Sequence, residues 1–295
     1  MSVVTESLAP ARSSQKLALN WLGLLPFFLF ALAFIIFPSL TLFSGSLFDA
    51  QGNLTFTNFL QLNTPLIVDA YQNSIMLSLQ TALGGAFFGF LLGYAVVYGN
   101  LPRWLRTAIM TFCGLAANFG GVPLAFSIIA TVGRTGFLTA FLRDQLGFDI
   151  YALGFSIYNP TGLFMAYMYF QLPLMVLIIV PALESLRREW REAAESLGAT
   201  NWQYWQYVAL PILTPTLLGT TILLFGSAFG AYATAQALTG GTLPLITLVI
   251  GTQIRGDVLG NPGLGYAMVL GMVVIMAACI AAYSSLQRQA ERWLR

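Results

Sequence analysis

Six long apolar runs, each essentially without charge, constrain this chain more than any other feature: roughly 20–47, 72–98, 107–132, 160–183, 211–238 and 264–286. A helix needs about 20 such residues to cross the hydrocarbon core of a bilayer. Backbone in lipid must satisfy its own hydrogen bonds, which leaves helices or closed barrels. Barrel strands alternate in polarity over about ten residues, and these runs do not alternate. The chain therefore reads as an all-α membrane protein, a six-span polytopic helical bundle. Composition agrees: 8% of residues are charged and 57% hydrophobic, whereas a soluble domain carries about 25% charge. The first run is too long for a cleaved signal peptide and lacks a clear small-residue cleavage site, so it is taken as a retained span. The expected organisation is an N-terminal tail over 1–19, a membrane domain over 20–286 with a polar elbow at 184–210, and a C-terminal tail over 287–295.

Lys and Arg set the orientation, because cytoplasmic segments retain them. With the N-terminus inside, ten of the 13 basic residues fall on the inner side: Arg12, Lys16, Arg103, Arg106, Arg187, Arg188, Arg191, Arg288, Arg292 and Arg295. Arg134, Arg143 and Arg255 fall outside. Both termini are expected in the cytoplasm. Three outer loops follow, at about 48–71, 133–159 and 239–263. The second is long enough for a short interfacial helix at "GFLTAFLRDQLGF". The third contains "LPLITLVIG", too short to span and suited to a re-entrant or interfacial piece.

Small residues recur at helical spacing: Gly85, Gly89 and Gly93 in the second run, Gly226 and Gly230 in the fifth, Gly263, Ala267 and Gly271 in the sixth. Small residues four apart let helices approach closely in lipid, so these faces predict a tightly packed bundle.

Several functions lack their machinery. The net charge of +2 does not point to nucleic acid, and there is no His, which removes imidazole catalysis and His metal sites. Cys113 and Cys279 lie in apolar runs and read as small hydrophobes. No nucleophile–base set appears, so no catalytic residue is assigned. The span cores carry no carboxylate relay. No Gly-rich phosphate loop exists, so any nucleotide must be bound by a partner.

The polar exception is "REWREAAESLGATNWQYWQYVALP", residues 188–211. Residues 184–197 read as a helix supported by the i,i+4 pairs Glu184–Arg188, Arg188–Glu192 and Arg191–Glu195. Gly198 suits the left-handed residue that ends it. Thr200 or Asn201 can cap a second short helix. Trp202, Tyr204, Trp205 and Tyr207 fit an interfacial aromatic belt. Pro211 falls where the fifth span starts and proline is tolerated. The result is a helix–turn–helix elbow with a small polar surface. Such an elbow is either a solvated loop or a docking surface for another protein.

The spacing of Glu192-Ala193-Ala194, Gly198, Val208 and Leu210-Pro211 resembles the EAA motif of the inner-membrane permease subunits of bacterial binding-protein-dependent ABC importers. Val208 departs mildly from the usual Ile. The motif's place before the fifth span and "YQNSIMLSLQTAL" opening the second also fit, and the resemblance covers roughly 70–285. It implies a type I ABC importer permease fold in the bacterial inner membrane. It implies that Glu192, Ala193, Ala194, Gly198, Leu210 and Pro211 couple the chain to a cytoplasmic ATPase dimer holding ATP and Mg. This chain itself would carry no cofactor and no metal. A second permease subunit and a periplasmic substrate-binding protein are the other implied partners. Leu197 stands where sugar-type permeases tend to have Asp, so the pattern looks more like the polyamine, ferric-ion, sulfate and phosphonate branch. Within that branch a polyamine is the expected solute. Asn118, Phe119, Phe229, Tyr232 and Gln236 are candidates for the translocation path. A stand-alone secondary transporter or channel is the alternative, and it would need no ATPase.

Overall fold

The computed structural model describes residues 24–48, 52–255 and 261–293. All named elements in this range are helices. Six stretches among the described residues, one of them divided by a bend, are long and apolar enough to cross a membrane. We label them in chain order with the shorter helices between: α1 Leu24–Ser46, α2 Thr57–Gln61, α3 Pro65–Tyr98, α4 Arg103–Asn118, α5 Gly121–Val132, α6 Phe137–Leu146, α7 Pro160–Glu184, α8 Arg188–Ser196, α9 Asn201–Phe229, α10 Ala233–Thr239, α11 Ile246–Arg255 and α12 Pro262–Trp293.

Helices α3 and α7 form the centre. The glycine face predicted on α3 meets α7 in three rungs. A Cβ on Gly85 would come 3.0 Å from Gln171 Cβ, one on Gly89 2.5 Å from Met175 Cβ, and one on Gly93 2.5 Å from Ile179 Cγ2. Both members of each rung advance by four residues, so the helices run parallel. Parallel direction requires one net crossing of the membrane between them. Gln171 lies in the middle of this contact, fully buried. Its Nε2 donates to Thr81 Oγ1 at 3.2 Å and to the Leu224 carbonyl at 3.4 Å, which joins α3, α7 and α9.

The remaining spans wrap this core. Gly219 and Gly226 of α9 face Tyr283 and Met276 of α12, an antiparallel pairing. The small face of α12 is used as expected: Gly263 lies under the Phe48 carbonyl, Ala267 is fully buried, and Gly271 receives the Tyr71 ring of α3. Tyr71 also donates to the Met268 carbonyl at 2.6 Å. Helix α1 lies at the periphery, with none of its most apolar window buried. Cys113 is buried, Cys279 is half-buried, and both thiols are free.

Two expected spans are broken. The sequence predicts a continuous third span over 107–132; instead α4 stops at Asn118 and α5 starts at Gly121. Gly120 is extended at φ −127° and Gly121 takes φ +74°, a backbone that an adjacent glycine pair allows and a longer side chain resists. The apolar stretch Gly121–Leu146 satisfies span length and composition, yet a bend at 133–136 divides it into α5 and α6. The sequence predicts a fifth span over 211–238; α9 ends at Phe229, and α10 resumes at Ala233. Gly230 is therefore a helix terminus, where the sequence had placed it on a packing face. Short helices form at both expected places, α6 at Phe137–Leu146 and α11 at Ile246–Arg255.

Candidate functional site

Two regions hold the predicted site residues: the elbow at one end of the bundle and the pair of helix breaks within it.

The elbow begins one turn later than the sequence implied. Helix α7 ends at Glu184, and α8 starts at Arg188. Glu184 therefore cannot make its i,i+4 pair with Arg188. It forms an ion pair with Arg106 of α4 instead. The other two pairs form, Arg188–Glu192 and Arg191–Glu195, each at 3.0 Å. Helix α8 closes on a Schellman arrangement: the Ala199 N–H reaches the Ala194 carbonyl at 3.0 Å and the Gly198 N–H reaches Glu195 at 3.0 Å. Gly198 takes φ +78° for this turn. Thr200 then caps α9 with a full capping box: its Oγ1 accepts from the Gln203 N–H at 3.3 Å, and the Thr200 N–H donates to Gln203 Oε1 at 2.8 Å.

The motif residues stand clear of the bundle. None of the nine residues of α8 is buried. Glu192, Ala193 and Gly198 are exposed, and Ala194 is half-buried. Leu197 is 88% exposed, a large apolar side chain that the chain itself leaves uncovered. Leu210 is exposed and Pro211 half-buried where α9 enters the bundle. Pro211 is not at a helix start, because α9 runs without interruption from Asn201. A wide turn over Trp205–Ala209 accommodates it: the Leu210 N–H bonds five residues back to the Trp205 carbonyl. That local widening takes up the proline ring and its missing donor.

The elbow aromatics divide into two sets, where the sequence suggested one belt. Trp202 and Tyr207 are 74% and 68% exposed. Tyr204 is buried, and Trp205 packs edge-on against Tyr94 and Tyr98 of α3, with ring centroids 5.3 and 6.0 Å apart. Above these rings lies a cavity of about 530 Å³, lined in part by Arg187, Arg191 and Glu195 of the elbow.

The two helix breaks meet. Gly121 donates its N–H to Thr234 Oγ1 at 2.8 Å, and Thr234 Oγ1 lies 3.4 Å from the Gly121 carbonyl. Helix α5 thus lies against α10. Asn118 and Phe119 end α4 here; Asn118 is exposed and its amide turns back to the Gly114 carbonyl at 2.9 Å. Phe119 is half-buried beside Tyr169, ring centroids 6.3 Å apart. Phe229 is buried and stacked on Phe225 at 5.4 Å, which puts it in the core beneath the break. Tyr232 sits in the second break and Gln236 one turn along α10, both half-buried. Tyr167 holds the same break by donating to the Ala231 carbonyl at 3.1 Å.

Sequence reasoning missed Gly121, Tyr167 and Thr234, which hold the breaks together. "NFGG" at 118–121 was the available signal, since two adjacent glycines interrupt a helix. Thr234 carried no signal. Replacing Thr234 with Val keeps the shape but leaves the Gly121 N–H without its acceptor, a loss of about 1–3 kcal/mol. The expected result is a lower thermal midpoint for Thr234→Val in detergent and a near-normal one for Thr234→Ser, which keeps the hydroxyl.

The chain matches the family described as "Binding-protein-dependent transport system inner membrane component" over residues 85–295. Curated relatives include the "Probable sulfate transport system permease protein cysT" of Marchantia polymorpha, 29% identical over 63% of this chain and 61% of that protein. The cysT protein of Chlorella vulgaris is 28% identical over 72% of this chain and 76% of its own length. The "Thiamine transport system permease protein ThiP" of Escherichia coli (strain K12) is 30% identical over 46% of this chain and 25% of that protein. The match thus spans about three fifths of the Marchantia protein and a quarter of ThiP. Among solved structures, a chain of a bacterial ABC transporter involved in the import of alginate superposes with a TM-score of 0.72 at 19% identity, covering 93% of this chain and 96% of that one. At that identity the likeness establishes the shared fold.

Proposed function

The chain belongs to the family of binding-protein-dependent transport system inner membrane components, and from that premise we propose that it is the permease subunit of an ATP-driven ABC importer, coupled to its ATPase through the elbow. The observation that carries this reading is the elbow itself. A nine-residue helix with no buried residue, ended by a left-handed glycine and followed by an 88%-exposed leucine, has no core of its own to serve. Its shape suits insertion into a groove on another protein. Glu192 would anchor it by charge, Ala193 and Ala194 would allow close approach, and Gly198 would set the turn. Leu210 and Pro211, at the wide turn of α9, would pass the movement into the bundle.

In this reading the elbow faces the cytoplasm, as the Lys and Arg distribution favours, and both termini lie on that side of a bacterial inner membrane. ATP and Mg belong to the ATPase dimer, and this chain is not itself an enzyme. A periplasmic binding protein delivers solute to the outer loops. A second permease chain completes the pathway, and the largely unburied α1 supports a bundle that has neighbours. The polyamine expected from the sequence gives way to the substrates that the relatives name, sulfate and thiamine. The meeting of the two helix breaks is the place for solute to pass, because irregular backbone at membrane depth occurs where it is buried or lines a cavity.

The test is purification of the native complex through a tag on this chain. An ATP-hydrolysing subunit with a phosphate-binding loop is expected to co-purify in stoichiometric amount, and reconstituted vesicles should accumulate solute only with ATP. Accumulation by this chain alone, without ATP, would overturn the reading in favour of a stand-alone transporter.

A further inference from the structure

We infer that the cavity beside the break between α9 and α10 is a binding station for a small tetrahedral oxyanion, with Arg255 selecting the charge. This rests on the permease reading and adds to it the charge of the solute. The cavity has a volume of about 370 Å³ and reaches from Gly230 in the break to Thr247, Gly251 and Arg255 on α11. That volume lies at the small end of ligand sites.

Tyr232, Thr247 and Arg255 form the polar side of the cavity, and the rest of its lining is glycine and apolar side chains. A Cβ on Gly251 would come 2.7 Å from Tyr232 Cε2, so the ring occupies space that only glycine leaves open. Arg255, one turn further along α11, places its guanidinium 5.1 Å from the centre of the same ring. Its Nη1 donates to the Tyr232 hydroxyl at 3.5 Å. Nη1 is engaged with the Tyr232 hydroxyl, and the rest of the planar guanidinium carries further N–H donors. Those donors match two oxygens of an oxyanion.

Charge separates the two substrates named for the relatives. Among the described residues lining the cavity, Arg255 is the charged one, and no carboxylate joins it. Among the described residues a cation such as thiamine finds no counter-charge there, while sulfate does. Asp257 follows in the sequence and lies outside the described residues.

Charge-selective thiol labelling tests the proposal. Thr247→Cys, in a Cys113→Ala/Cys279→Ala background, places one thiol in the cavity of the native complex in nanodiscs. Labelling rates with an anionic and a cationic methanethiosulfonate are measured and normalised to a free thiol. The expected result is about tenfold preference for the anionic reagent, protection by sulfate but not by spermidine, and loss of both effects in Arg255→Gln. Equal rates, protection that survives Arg255→Gln, or a thiol inert to both reagents would overturn the proposal. So would full protection by anionic lipid without sulfate, which would assign the site to a headgroup. Flat labelling leaves the permease reading standing, and absence of an ATPase from the complex leaves the labelling result standing, so the two failures are distinguishable.

Discussion

Replacing Gly198 with valine is expected to stop transport while leaving the bundle folded. Gly198 takes φ +78°, and the two hydrogen bonds that close α8 depend on that backbone. An added Cβ would meet nothing within 4 Å, so the effect is conformational and not a clash. A β-branched residue at positive φ costs about 1–3 kcal/mol. The turn has no tertiary contact of its own at that position to hold it against such a cost, so it relaxes and α8 changes direction. Every 1.4 kcal/mol is about tenfold in an equilibrium, so the balance between competent and relaxed elbow shifts about five- to 150-fold toward the relaxed form. The order of variants is diagnostic: Asn tolerates the left-handed region, Ala less, and Val least. Solute accumulation should fall in that order, from near normal to near background. The thermal midpoint should barely move, because α8 buries no residue in the core. Wild-type accumulation by Gly198→Val would remove the elbow from the coupling mechanism.

How much of this was legible in the sequence depends on whether the cause was local. The positive φ at Gly198, the Thr200 cap and the pairs Arg188–Glu192 and Arg191–Glu195 follow from residues within a few positions of each other. The reading of α3 as a packing helix followed from the four-residue period of Gly85, Gly89 and Gly93. Errors arose where a distant residue competed. Glu184 was assigned to Arg188 by spacing, but Arg106, 78 positions upstream, takes it. Hydropathy averaged over a window joined 107–132 and 211–238 into single spans, because the breaks at Phe119–Gly120 and Gly230–Tyr232 contain no charge to lower the average. The partner that holds the first break, Thr234, is 113 residues from Gly121. Arg255 reads in the sequence only as an outer positive charge; nothing in its neighbours reveals that its guanidinium lies 5.1 Å from the centre of the Tyr232 ring.

The largest effect on folding is expected at Gly89, and Gly84 on the same helix provides its control. A Cβ on Gly89 would lie 2.5 Å from Met175 Cβ, 2.7 Å from Met175 Cγ and 3.1 Å from the Leu172 carbonyl. Methionine is adaptable at its far end, but this contact is with the root of the side chain and with backbone, which rotation does not move. The helices must separate. On Gly84 the nearest atoms are Met168 Sδ at 3.3 Å and Cε at 3.5 Å, the mobile end of a methionine, so the same methyl group is accommodated by a rotamer change. Gly89→Ala should therefore cost about 1–3 kcal/mol, and Gly84→Ala close to nothing. The loss at Gly89 also spreads. Four residues back along each helix stands the Gly85–Gln171 rung, where the amide bonds to Thr81 and Leu224 are 3.2 and 3.4 Å long. The bond to Thr81 is the one that spans α3 and α7, and separating these helices by a few tenths of an ångström breaks it inside the core, where an unpaired group is itself costly. The expected result is a fall of about 5 °C or more in the thermal midpoint for Gly89→Ala, no measurable change for Gly84→Ala, and no folded protein for Gly89→Leu. Equal midpoints for the two alanine variants would mean that α3 and α7 do not pack through this face.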